Sequence, residues 1–119
     1  MNRVVITGMG VISPVGNDIR TFGENLFAGV SGIGPITRFD AADFKAKVAA
    51  EVKGLSPEAY GIDRGEARRM DLFTQYAMAA AQQAVSGSGI VGAVEPERLG
   101  VYIGSGIGGM HTFVAETEK

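Results

Sequence analysis

Residues 104–109, Gly-Ser-Gly-Ile-Gly-Gly, have a composition and spacing that could do chemistry, and we call them the glycine loop. They fit the G-x-G-x-x-G pattern, in which glycines let a dinucleotide pyrophosphate approach the amino terminus of a helix. The pattern alone is weakly specific, and residues 8–13 after the first apolar run have serine where its third glycine belongs. The favoured interpretation is a turn shaped by packing, with a small nucleotide-binding module as an alternative.

The serines and the single histidine add little further chemistry. A G-x-S-x-G nucleophile elbow around Ser105 would need glycine at position 103, where Ile103 stands. Ser13 has no base near it in sequence, and His111 has no second histidine, cysteine or carboxylate at a useful spacing. The chain has no cysteine, which excludes a thiol nucleophile within these residues. We therefore predict no catalytic residue, no metal site and no cofactor in this chain.

Positive charge gathers at Arg64, Arg68 and Arg69, which we call the arginine cluster. If this stretch is helical, Arg64 and Arg68 lie one turn apart on the same face. Such a surface could dock an acidic partner. From the residues alone, a solvated surface that pairs with Glu66 and Asp71 is the favoured interpretation.

Composition narrows the class of protein. The 119 residues have a formal net charge of −2 and are 45% hydrophobic, which is typical of a folded domain and not of a disordered chain. This charge gives no general attraction to nucleic acid or to an anionic membrane. No apolar run is long enough to span a bilayer, and glycine interrupts the start of the chain too early for a signal peptide. We predict a cytoplasmic protein with neither nucleic acid nor membrane as a partner.

The order of the predicted elements favours a mixed α/β fold. Residues 3–7 and 99–104 are continuous apolar runs, which predict strands buried on both faces. Apolar and polar residues alternate over 44–52, as in a strand with one solvated face, and residues 32–40 are predicted to form a loop. A long helix between two buried strands fits a right-handed crossover.

Helix signals occupy the segments between these strands. Residues 21–24 fit a capping box for a helix that stops at Gly29. A short helix is predicted to start at Pro57, and residues 63–66 could start another turn. The strongest helix is predicted over 71–85, where many alanines indicate a closely packed neighbour.

Four stretches share their order and spacing with one family. They are residues 4–16 (Val-Val-Ile-Thr-Gly-Met-Gly-Val-Ile-Ser-Pro-Val-Gly), 29–33 with 36–40 (Gly-Val-Ser-Gly-Ile and Ile-Thr-Arg-Phe-Asp), 68–77 (Arg-Arg-Met-Asp-Leu-Phe-Thr-Gln-Tyr-Ala) and the glycine loop. They are distributed between positions 4 and 109, so the likeness extends over essentially the whole chain. The chain thus resembles the amino-terminal part of the type II β-ketoacyl-acyl carrier protein synthases, and four stretches in register make the resemblance specific.

This resemblance implies a fold and a reaction. The fold would be the thiolase-like one, a layered arrangement of mixed sheets and helices in two similar halves. Residues 1–119 would form the amino-terminal part of that domain, within its first half. The reaction would be fatty acid elongation in a homodimer, by decarboxylative Claisen condensation of malonyl-acyl carrier protein with an acyl chain held on a cysteine. The family's cysteine and its two histidines lie beyond position 119, so we expect the 119 residues alone to be inactive.

The resemblance also assigns roles within the chain. Ile107 matches the family isoleucine that lines the acyl-chain pocket, together with the adjoining Gly106 and Gly108. The arginine cluster matches a basic stretch that meets the acidic carrier protein, which makes docking the favoured interpretation of these residues. Ile107 should then limit the length of the acyl chain.

Two further alternatives stay open at this point. Within the superfamily, the chain could belong to a polyketide ketosynthase or to its non-catalytic chain-length factor. It could also be a truncated product that is stable only when associated with another polypeptide, because half of a two-half fold leaves apolar surface uncovered. In that case the 101–103 run and the alanine-rich helix would lack partners, and the piece would be prone to aggregate.

Overall fold

The computed structural model describes residues 3–119, which divide into two units. One unit is Val11–Leu55, and the other joins the residues up to Gly10 with Ser56–Lys119. The elements in chain order are α1 Ile19–Phe27, β1 Ile33–Pro35, β2 Val48–Ala50, a 3₁₀-helix Pro57–Tyr60, α2 Arg64–Ala67, α3 Leu72–Ser88, a second 3₁₀-helix Pro96–Arg98 and α4 Met110–Thr117. Across the described residues, no helix is long and apolar enough to cross a membrane.

In the unit Val11–Leu55, the N-cap of α1 lies three residues before the N-cap predicted at Thr21. Asp18 is the N-cap, and its carboxylate accepts hydrogen bonds from the Thr21 amide at 2.8 Å and the Thr21 hydroxyl at 2.7 Å. The predicted roles of Thr21 and Glu24 were wrong, because Thr21 donates to a cap and Glu24 pairs with Arg20. The predicted stop is confirmed, since Gly29 has a left-handed φ of +69°.

The same unit contains a two-stranded antiparallel sheet. In β1 and β2, Ile33 lies opposite Ala50, and Pro35 lies opposite Val48. The alternating pattern predicted a strand over 44–52, and only Val48–Ala50 forms one. Residues 32–40 were predicted to be a loop, yet β1 lies within them. Both strands alternate between exposed and half-buried residues, which agrees with one solvated face.

In the other unit, the long helix is confirmed, with α3 spanning Leu72–Ser88. The backbone at Gly8 and Gly10 passes so near α3 that a Cβ at either position would overlap the carbonyl of Ala84 or Ala80. This contact is the close neighbour that the alanines predicted. The 3₁₀-helix Pro57–Tyr60 also packs on α3 and starts where the sequence predicted. Buried hydrophobic side chains in this unit include Ile62, which is 1% exposed, and Ala79, which is fully buried.

The strands predicted at 3–7 and 99–104 are not formed. A strand needs a hydrogen-bonded neighbour, and neither segment belongs to a sheet among the described residues. Their apolar side chains are exposed instead: Val4 is 94% exposed and Tyr102 is fully exposed. The 101–103 run is exposed within the described residues, whereas the alanine-rich helix does have neighbours in Gly8, Gly10 and the 3₁₀-helix, contrary to that expectation. That the exposed run would make the piece prone to aggregate stays a prediction.

The packing of Gly10 gives a first prediction. Gly10→Ala should destabilise the protein by about 1–3 kcal/mol, because its methyl group would overlap the Ala80 carbonyl and force the segment away from α3. Gly23→Ala is the matched control, since a Cβ at this position in the middle of α1 would meet nothing within 4 Å outside its chain neighbours and the backbone of its own helix. This control should stabilise by about 0.5–1 kcal/mol through helix propensity. Thermal unfolding and hydrogen exchange across α3 measure both changes, and equal behaviour of the two variants would contradict the packing argument.

Candidate functional site

The arginine cluster lies on α2 and the turn that follows it. The carboxylate of Asp63 begins α2 by accepting hydrogen bonds from the Gly65 amide at 2.7 Å and the Glu66 amide at 3.4 Å. The Arg68 amide donates to the Arg64 carbonyl at 3.2 Å, so these two residues lie one helical turn apart, as predicted. All three arginines of the cluster are exposed.

The three arginines differ in their ionic partners. The Arg64 Nε lies 2.7 Å from the Glu58 carboxylate, and not beside Glu66 or Asp71 as the sequence predicted. Hydrogen bonds from its own backbone amide, from Arg64 and from Ser56 lower the pKa of Glu58 to about 2. Within residues 3–119, the side chains of Arg68 and Arg69 take part in no ion pair.

A side chain of α3 holds the backbone on either side of the two remaining arginines. The Gln75 amide nitrogen donates to the Ala67 carbonyl at 2.8 Å and to the Met70 carbonyl at 3.1 Å. This pair of bonds fixes the turn that presents Arg68 and Arg69. Sequence reasoning missed Gln75, because its partners lie five and eight residues away and follow no helical spacing.

The glycine loop lies immediately before α4. The Ser105 hydroxyl accepts a hydrogen bond from the Gly108 amide at 3.1 Å, so it closes a turn and has no base as a partner. Gly108 has a φ of +81°, which favours glycine, whereas Gly106 has open space where a side chain would stand. Ile107 is 80% exposed at the tip of this turn and forms no enclosed pocket with the described residues.

The carboxylate of Asp71 meets the start of α4. The Thr112 hydroxyl donates a hydrogen bond to Asp71 Oδ1. A Cβ at Gly109 would overlap the same carboxylate. A negative group is therefore already placed at this helix terminus, where it would repel a pyrophosphate. This geometry argues against the nucleotide-binding alternative. His111 stands beside Thr112 and is exposed.

The remaining candidates are Ser13 and possible metal-binding side chains, and neither forms a site in the part of the chain that the structure describes. The Ser13 hydroxyl accepts hydrogen bonds from the amides of Val15 and Gly16 at 3.3 and 3.1 Å, so it shapes a turn. Among the described residues, no group of three histidine, cysteine or acidic side chains could hold a metal ion.

An open groove of about 470 Å³ lies beside the sheet of the unit Val11–Leu55. On its wall, Thr37 donates to Glu51 from its hydroxyl at 2.6 Å and from its amide at 3.1 Å. These bonds lower the pKa of Glu51, the hydroxyl contributing more than the amide. No sequence pattern predicts this groove, because its wall joins segments 14 residues apart.

Comparison with known proteins identifies the family that the sequence resembles. The model of the family described as "Beta-ketoacyl synthase, N-terminal domain" matches residues 1–119. The 3-oxoacyl-[acyl-carrier-protein] synthase 2 of Staphylococcus aureus (strain COL) is 52% identical over 112 residues, which are 93% of this chain and 27% of that protein. The synthase of the same name from Coxiella burnetii (strain RSA 493 / Nine Mile phase I) is 50% identical over 109 residues, covering 91% of this chain and 26% of that protein.

A solved structure agrees in fold. The ishigamide ketosynthase/chain length factor matches with a TM-score of 0.75 and 34% identity, over 96% of this chain and 28% of that one. This similarity confirms the predicted thiolase-like α/β class. The chain spans about a quarter of the length of the relatives that it matches.

The contact between Arg64 and Glu58 gives a second prediction. Arg64→Gln should raise the pKa of Glu58 from about 2 toward its ordinary value of 4.5, because one of the bonds that favour the carboxylate is lost. Since the pKa is lowered in the folded state, its stabilising effect is present above pH 4.5 and disappears as the pH falls toward 2. NMR titration of the Glu58 carboxyl measures the change. Arg68→Gln is the control, and an equal shift in that variant would contradict the pairing.

Proposed function

Since the chain belongs to the β-ketoacyl synthase family, we propose that it is the amino-terminal part of a 3-oxoacyl-acyl carrier protein synthase, an acyltransferase of fatty acid elongation. The match of the family model over all 119 residues is the observation that carries this proposal. The 50–52% identity to two proteins named 3-oxoacyl-acyl carrier protein synthase 2 supports the type.

The proposed reaction belongs to a longer protein that contains this segment. The acyl group would be held as a thioester on a cysteine, and this chain contains none. Malonyl-acyl carrier protein would lose carbon dioxide, and the resulting carbanion would attack the thioester carbonyl. A carbon–carbon bond forms and the carbon–sulfur bond to the cysteine breaks, while histidines and an oxyanion hole stabilise the developing charge. The 119 residues alone are expected to perform no condensation.

Within this segment, we assign two tasks that do not require catalytic groups. The turn of Gly106, Ile107 and Gly108 would line the acyl-chain pocket once further chain covers the exposed isoleucine. Arg68 and Arg69 would meet the acidic carrier protein, because they are exposed and have no ionic partner within residues 3–119. The full enzyme would be a cytoplasmic homodimer that needs no cofactor.

A chain-length factor is the second candidate function. The 34% identity to the ishigamide ketosynthase/chain length factor favours it, since that description names a chain length factor. A chain-length factor would bind the same partners without condensing them. The presence or absence of condensation by the complete protein therefore separates the two candidates.

The decisive assay supplies the complete protein with malonyl-acyl carrier protein and an acyl-acyl carrier protein. Formation of a 3-oxoacyl product with release of carbon dioxide, followed by mass spectrometry, would support the synthase. A pure, folded complete protein that yields no product would overturn it and favour the chain-length factor.

Ile107 gives a prediction within this assay. Ile107→Phe should lower kcat/KM for a myristoyl primer by about tenfold or more relative to a hexanoyl primer, because the ring would fill part of the proposed pocket. Val91→Phe is the control, as it adds bulk at an exposed turn position outside the glycine loop and outside the predicted strands. An unchanged preference for chain length in Ile107→Phe would remove this residue from the pocket.

The arginine cluster gives another prediction. The double variant Arg68→Glu, Arg69→Glu should raise the KM for acyl carrier protein about three- to tenfold at low ionic strength, because attraction to the acidic partner becomes repulsion. The difference should shrink as added salt screens these exposed charges. Arg98→Glu, an exposed position in the second 3₁₀-helix, is the control. A double variant whose KM at low salt equals that of the control would reject the docking role.

A further inference from the structure

Three helices begin after an aspartate, and one of these aspartates does not cap its own helix. Asp18 accepts a hydrogen bond from the Thr21 amide of α1, and Asp63 accepts one from the Gly65 amide of α2. Asp71 occupies the same position before α3, yet its side chain makes no capping hydrogen bond there. Its backbone carbonyl still starts the helix by accepting from the amides of residues 74 and 75. The carboxylate is thus available for another contact.

The contact that Asp71 makes instead joins two distant segments. Its Oδ1 accepts a hydrogen bond from the hydroxyl of Thr112, which lies 41 residues later in the first turn of α4. The same carboxylate lies against the α-carbon of Gly109, where any side chain would overlap it. Asp71 is half-buried in this position. The amino-terminal end of α4 favours a negative group, so the charge of Asp71 strengthens the contact.

These contacts fix the carboxyl-terminal end of the glycine loop. Gly109 is the last residue of the loop and the N-cap of α4. The Phe73 ring lies 3.9 Å from the point where a Cβ of Gly108 would stand. Asp71 and Phe73 both come from the start of α3, so this helix holds the loop from one side. The Ser105 hydroxyl then closes the turn that carries Ile107.

We propose that Asp71 is a positioning residue that fastens the glycine loop to the start of α3 through Thr112 and thereby sets where Ile107 stands. This inference rests on the proposed function, in which Ile107 limits the acyl chain. Without its bond to Thr112, the loop can move away from α3, and Ile107 discriminates less between short and long chains.

Removal of the Thr112 hydroxyl in the complete protein tests the proposal. In Thr112→Val, the ratio of kcat/KM between hexanoyl and myristoyl primers should move about tenfold toward equality, the lower size expected for loss of one charge-assisted hydrogen bond. Amides of the glycine loop should exchange their hydrogen several-fold faster. Asp71→Ala should behave alike, and the double variant should be no worse than either single one, because both remove the same bond.

Two variants serve as controls. Thr112→Ser keeps the hydroxyl and should retain the ratio and the exchange rates of the parent protein. Thr37→Val removes a comparable hydroxyl–carboxylate bond, that of Thr37 to Glu51, in the unit Val11–Leu55, and should also leave them unchanged. If Thr112→Val does not fold, Gly109→Ala takes its place, because its methyl group displaces the Asp71 carboxylate while both bonding partners remain.

Each failure has its own signature. Unchanged exchange of the glycine-loop amides in Thr112→Val would overturn the fastening role whether or not the protein condenses acyl chains. The positioning role would be overturned if the glycine-loop amides exchanged faster but the kcat/KM ratio of the two primers did not change. An equal fall in rate for both primers would overturn it as well. In either case Asp71 would have only a structural role. Absence of condensation by the parent protein, with the exchange result as expected, would overturn the proposed function alone.

Discussion

Both candidate sites depend on contacts made by the first turn of α3. Gln75 reaches back to the carbonyls of Ala67 and Met70 and so fixes the turn that presents Arg68 and Arg69. Asp71 reaches to Thr112 at the start of α4. Asp71 can do this because its carboxylate makes no capping hydrogen bond to α3, while its backbone carbonyl accepts from the amides of Thr74 and Gln75. One rigid element thus supports the arginine cluster and the glycine loop, although neither site lies on it.

The position of α3 depends in turn on a close approach of two backbones. Gly8 and Gly10 face the carbonyls of Ala84 and Ala80, so the chain runs against the direction of the helix. An extended chain advances about 6.6 Å over two residues, and a helix advances about 6 Å over four, which makes the two spacings compatible. Glycine on one side and alanine on the other bring the two backbones together. A larger side chain at either glycine would separate them.

The sequence predicts local structure well here and non-local contacts poorly. The long helix, the short helix at Pro57 and the stop at Gly29 rest on signals within a few residues, and all three are confirmed. The segments 3–7 and 99–104 have strand composition, but a strand also requires a partner, which composition does not supply. The same reason hides the bond between Asp71 and Thr112, because no periodic pattern connects positions 41 residues apart. The residues and the family resemblance point to the two candidate sites, and the structure shows which contacts hold them.

The arginines of the cluster differ in role: Arg64 forms an ion pair within the chain, whereas Arg68 and Arg69 present their charges to solvent. The pair of Arg64 and Glu58 is largely exposed, with 81% and 44% of the two side chains accessible, so it adds little to stability. It does neutralise Arg64, which leaves Arg68 and Arg69 as the unbalanced cations of the cluster. The chain as a whole carries a net charge of −2, so the exposed cations of Arg68 and Arg69 stand against a weakly acidic surface. An acidic partner would therefore be attracted to one place and repelled mildly elsewhere, which orients its approach rather than only strengthening it.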